Sequence, residues 1–153
     1  MMRSALVALV MSISICAGCG GPPDDRSAAG ALRLFFESVG ASQESTGSTR
    51  SEALEAAYDL LDEESRERLA ARARTTGALG GRQHDPWEML AAYATRDSVL
   101  PSRASSFREA IDADGMHATV TVHIDEEQTI EVPMVREDDG WRVVLGVEET
   151  TAE

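Results

Sequence analysis

Lysine and asparagine are absent from these 153 residues, and all fourteen basic side chains are arginine, a pattern we read as the codon bias of a GC-rich genome. Cysteine occurs only at Cys16 and Cys19. Past Cys19 there is therefore no disulfide, thiolate zinc site, redox pair or cysteine nucleophile, and the fold must be held by its core. Positive charge is scarce: after residue 18, thirteen arginines face twenty-seven acids, a side-chain charge of −14. That balance excludes nucleic acid, whose phosphates need a basic footprint, and adhesion of the protein surface to anionic headgroups. Also missing are a glycine-rich phosphate loop, a Gly-x-Ser-x-Gly elbow and a zinc-protease helix. The sequence states no reaction.

What is present begins with an address. Arg3 gives a positive start, Ala5 to Ile15 form an apolar core, and Cys16-Ala17-Gly18-Cys19 follows with small residues. The core is too short for a membrane-spanning helix, which needs about twenty apolar residues, and Ser12 and Ser14 interrupt it. The segment resembles the lipobox of bacterial lipoproteins, which implies diacylation of Cys19 after removal of residues 1–18. Cys16 stands where a lipobox usually carries leucine, and bulky Ile15 makes Cys16 itself the poorer acceptor. A plain secretory leader cut before Gly20 or Gly21 is the alternative. Gly20, where an aspartate would signal inner-membrane retention, favours the outer membrane facing the periplasm.

The mature chain is long enough for one core, and 42% hydrophobic with 27% charged residues excludes a wholly disordered chain. We expect a signal peptide over 1–18, a lipidated tether over 19–26, one domain over 27–149 and a flexible tail over 150–153. Leu32, Phe35, Phe36 and Val39 repeat at helical spacing, predicting a helix from Ser27 to Val39 that Gly40 stops. Ala41 to Arg50 reads as a loop. A second helix should start near Ser51 with Thr49 and Glu52 as a capping box, carrying Leu54, Ala57, Tyr58 and Leu61 on one face. Asp62 recaps the chain for a third helix, Glu63 to Arg74, with acids in its first turn and arginines in its last. Ala78 to Arg82 should be a loop. Asp85-Pro86-Trp87-Glu88 is a helix start with Asp85 as cap, running to about Ala94 with Trp87, Leu90 and Ala91 inward.

From Ser105 the period becomes alternating. Phe107 and Ile111 fit a first strand. Ala118, Val120, Val122 and Ile124 form the inward face of a second, with Thr119, Thr121 and His123 opposite. Thr129 to Arg136 and Trp141 to Val147 complete the set, the last with Trp141, Val143, Leu145 and Val147 on one side. Connections at Asp112 to Gly115, Asp125 to Gln128 and Glu137 to Gly140 are of hairpin length, so the sheet should be antiparallel. Pro133 marks a bulge or an edge. The expected class is α+β, with N-terminal helices packed on a curved antiparallel sheet of about four strands.

This order of elements, the stretch Tyr58-Asp59-Leu60-Leu61-Asp62-Glu63-Glu64-Ser65-Arg66 and the ending Val135-Arg136-Glu137-Asp138-Asp139-Gly140-Trp141-Arg142-Val143 resemble the nuclear transport factor 2-like superfamily. The likeness is to its small domains in bacterial lipoproteins and covers about Ser27 to Glu148. It implies a cone-shaped cavity used in different members for catalysis, ligand binding or dimer contacts. Fold alone does not choose among them.

Candidate chemistry is thin. His117 and His123 share one strand face about 20 Å apart, too far to share a metal. His84 beside Asp85 would suit a general base, but capping accounts for Asp85. Asp62-Glu63-Glu64, Asp125-Glu126-Glu127 and Glu137-Asp138-Asp139 lack calcium-loop spacing and read as solvated turns. The resemblance points to Tyr58, Asp59, Tyr93, Asp97, Arg96 and Arg108 as weak cavity candidates. Tyr58 and Tyr93 also suit helix packing. The expectation is a lipid-anchored envelope domain that binds a partner protein or small apolar ligand, with no metal or cofactor. The alternative is a small isomerase, dehydratase or hydrolase pairing a carboxylate with a tyrosine. A homodimer through the sheet is a further expectation.

Overall fold

The computed structural model describes residues 24–91, 104, 106–124 and 128–146. Among them, helices α1 (Ala28–Glu44), α2 (Gly47–Asp59) and α3 (Glu63–Gly80) and a 3-10 turn (Pro86–Met89) precede four strands. These are β1 (Ser106–Ile111), β2 (His117–His123), β3 (Thr129–Glu137) and β4 (Gly140–Val143). The strands pair antiparallel in the order β1-β2-β3-β4, so the class is α+β with the helices N-terminal to the sheet.

The alternation read in β2 sets the core. Ala118, Val120 and Val122 are buried, and register places Met134 opposite Ala118 and Val132 opposite Val120. Leu32, Phe35 and Val39 of α1 and Leu54, Ala57 and Leu61 join them in one cluster. Each such aliphatic side chain contributes about 1.5–3 kcal/mol. Glu109, exposed on β1, lies opposite Val120 in register. Its carboxylate accepts from Ala29 N at 3.0 Å, at the positive end of α1, where Ser27 Oγ also accepts from Gly30 N.

Several local expectations are corrected. Gly40 does not stop α1, which continues to Glu44; one interior glycine costs about 1 kcal/mol, and Val39 and Ser42 are both buried around it. The loop expected over Ala41 to Arg50 shrinks accordingly, and α2 begins at Gly47 after Thr46, so Thr49 and Glu52 lie within the helix rather than capping it. Helix α3 runs on through Thr75 to Gly80, beyond the last of its buried residues Ser65, Leu69 and Ala73, and it stops only at Gly81 in the left-handed conformation. Arg72 and Arg74 are thus interior to the helix. Asp85 makes no side-chain cap bond, and Pro86–Met89 is a 3-10 turn that buries Met89 beside Leu90, with Trp87 half-buried. The expected continuation to Ala94 lies outside the described residues past Ala91, and the last strand, expected to reach Val147, ends at Val143, with Val144 to Gly146 described outside it.

Pro133 forms no bulge: it pairs in continuous register with Thr119. Its carbonyl accepts from Val144 N on the β4 side, past the last β3–β4 pair, Met134 with Val143. Pro133 marks no edge strand either, since β3 lies between β2 and β4; its missing N–H faces the β4 side, just past the last β3–β4 pair, where little of the ladder is lost. Beside β4, Val143 N donates to Leu60 O at 2.8 Å and Asp62 N donates to Val143 O at 3.1 Å. The α2–α3 connection thereby covers the free edge of β4. Asp62 also caps α3 as expected, accepting from Ser65 N.

Candidate functional site

The C-terminal end of α3 and the segment Gly81 to Asp85 that follows it line an open groove of about 530 Å³, within the size range of small-ligand pockets. Two glycines shape it. Gly81, at φ 68°, turns the chain out of the helix, and Gly77 lets the returning chain close in, since a Cβ there would sit 2.8 Å from the Arg82 carbonyl oxygen. Ala73, Gly77 and Ala78 supply small surfaces, and Arg74, Arg82 and His84 supply the polar part of the lining.

Behind the lining sits Glu88. Its carboxylate accepts from Arg82 through both oxygens, at 2.8 and 2.6 Å, and lies 2.7 Å from His84 Nδ1. The His84 hydrogen bond and the Arg82 charge hold the Glu88 carboxyl below its ordinary value, so it is ionised at neutral pH. A carboxylate only accepts, so the neutral imidazole carries its proton on Nδ1 and leaves Nε2 as an acceptor. The neighbouring hydroxyls are engaged: Thr75 Oγ1 with Ala71 O at 3.1 Å, and Thr76 Oγ1 with Met89 Sδ at 4.0 Å. This leaves a fixed imidazole with no activated nucleophile among those partners.

The other candidates stand elsewhere. Tyr58 is half-buried, and its hydroxyl donates to Arg66 O at 3.3 Å. Asp59, the last residue of α2, is exposed, and Arg108 is exposed on β1. Tyr93, Arg96, Asp97 and Cys19 lie outside the described residues. His117 Nδ1 lies 2.7 Å from Asp114 at the β1–β2 turn, where Asp114 also accepts from Met116 N and His117 N. These bonds, led by the Met116 amide, hold the Asp114 carboxyl below its usual range. Among the described residues, no three His, Cys, Asp or Glu side chains cluster closely enough to hold a metal ion, and no helix is long and apolar enough to cross a membrane.

At the β3–β4 turn, Glu137 and Asp139, expected as part of a solvated turn, instead join a second cluster around Arg142, which the pattern did not single out. Arg142 is 6% exposed and reaches Asp139 at 2.6 Å, Asp25 at 3.5 Å and its own Trp141 carbonyl at 2.9 Å, while Nε faces Glu137 at 3.9 Å. The Arg142 hydrogen bond keeps the Asp139 carboxyl below its ordinary value. Glu137 in turn accepts from Glu63 N at the start of α3 and pairs with Arg66. No signal in β4 marked Arg142 as buried, since alternation assigns it outward; the spacing of His84 and Glu88, four apart beside Arg82, was the one legible hint of the groove cluster. No family model, curated protein or solved structure matches the chain.

Proposed function

We propose that this chain is a lipid-anchored domain of the bacterial envelope, attached through Cys19, that works by binding a partner protein or a small apolar ligand. The observation that carries the binding reading is the groove beside α3: its small apolar surfaces are open, while Arg82, His84 and Glu88 beside them pair with one another. A Glu88 carboxylate held ionised by Arg82 and His84 is a poor proton acceptor. The order of helices followed by a meander is compatible with the nuclear transport factor 2-like resemblance and adds to this reading without choosing a ligand.

Two measurements test the two halves. Cys19→Ser should move the protein from membranes to the soluble fraction and abolish labelling by a fatty-acid analogue; persistence of both overturns the anchor. A neutral apolar dye should bind the protein, and Ala78→Trp, which fills the groove from its exposed rim, should weaken that binding severalfold. Undiminished dye binding overturns the groove as the site. Among the described residues, the enzyme alternative is favoured by one arrangement, the oriented His84 imidazole, and predicts a turnover that His84→Gln removes.

A further inference from the structure

Asp24 and Asp25, within the stretch expected to act as tether, are built into the fold. Asp25 O accepts from Trp141 N at 2.9 Å, and its carboxylate meets the buried Arg142. Two glycines make room for the pair. A Cβ on Gly30 would collide with Asp24 O, and one on Gly140, at φ 153°, would fall 2.9 Å from Asp25 Oδ2. The chain is thus clamped at the β3–β4 turn, six residues after Cys19. Six extended residues reach about 20 Å.

We infer that the domain is oriented on the bilayer, with its β3–β4 turn held next to the phospholipid surface and the groove end of α3 directed away from it. This rests on the lipid anchor at Cys19. Helix α3 starts at the clamped end, where Glu63 N meets Glu137, and ends at Gly80 about 26 Å further on. The exposed Asp138 and Asp139 at the clamped end oppose adsorption to anionic headgroups, so the short tether, and not surface attraction, sets the spacing. Charge also separates along this axis. From Arg68 to His84 the sequence carries four arginines and no acid, in a chain of net charge −13. The end presented outward, with Arg72, Arg74 and Arg82 against Asp85 and Glu88, is the less acidic one, and Leu79 is 86% exposed beside the groove.

The two tryptophans report on the two ends. Trp141 lies in the clamp, and Trp87 lies in the 3-10 turn, whose Met89 touches Thr76, about 20 Å along α3 from Glu63. The membrane-purified protein is reconstituted into phospholipid vesicles carrying a dansyl acceptor on the headgroups, and energy transfer is read from Trp141 alone in Trp87→Phe. The Trp87 contribution follows by difference from the unsubstituted protein, which avoids replacing buried Trp141. Transfer from Trp141 should exceed that from Trp87 severalfold, and inserting about ten Gly/Ser residues between Pro22 and Pro23 should narrow the difference. Co-flotation with equal transfer from both, or stronger transfer from Trp87, overturns the orientation alone. Absence of co-flotation overturns the anchor on which it rests.

Discussion

Arg142 and Arg82 each meet carboxylates at opposite ends of α3, yet Arg142 is 6% exposed and Arg82 is 66% exposed. The chemistry is the same and the surroundings are not. A buried guanidinium has given up its water and depends on Asp139, Asp25 and Glu137 for replacement, whereas an exposed one exchanges Glu88 for solvent at little cost. The β3–β4 end is thereby a rigid junction of tether, hairpin and α3. The groove end keeps its ion pair at the surface, where solvent can replace either partner.

The sharpest way to break this contrast is to remove Arg142. Arg142→Ala should cost about 3 kcal/mol in urea denaturation, since the ion cluster and the Asp25 clamp go together. A loss below about 1 kcal/mol would place it with ordinary surface pairs and erase the distinction between the ends.

Gly140→Ala comes next, at about 2 kcal/mol, because alanine at φ 153° is strained and its Cβ meets Asp25. Limited proteolysis should also show faster cleavage near Asp25; unchanged stability and cleavage would mean that the clamp yields freely. A smaller effect separates two aspartates that look alike in sequence. Asp62→Ala should cost about 1 kcal/mol, having lost its bond from Ser65 N, while Asp85→Ala should leave thermal stability unchanged. Equal losses would mean that capping, not position in the fold, governs both ends.

Smallest is Arg82→Ala, expected to cost less than about 1 kcal/mol and to matter less still in high salt. A larger, salt-insensitive loss would make the groove cluster as structural as the clamp.

Much of the framework was legible because it depends on neighbours along the chain. The alternation of Ala118, Val120 and Val122 announced the buried face of β2, the polar turns announced hairpins, and Asp62 announced a helix start. Boundaries read from single residues fared worse. Gly40 looked like a stop and Asp85 like a cap, but burial around Val39 and Ser42 carried α1 onward, and Glu88 rather than Asp85 became the partner of His84. At the groove, His84 was visible as a candidate, and its four-residue spacing from Glu88 was the only hint of a partner. Whether Glu88 bends back to cap or meets His84 and Arg82 depends on how α3 ends.

By itself the sequence determined the α+β order, the antiparallel sheet and the apolar face of β2, because periodicity and turn chemistry act over a few residues. It also restricted thiol chemistry to Cys16 and Cys19. Only the tertiary structure decided that Arg142 is buried, that Asp25 is clamped to it from 117 positions away, and that Gly77 lets a groove form at the end of α3. Those outcomes depend on which distant segments come together, and charge and size along the chain do not encode that pairing locally.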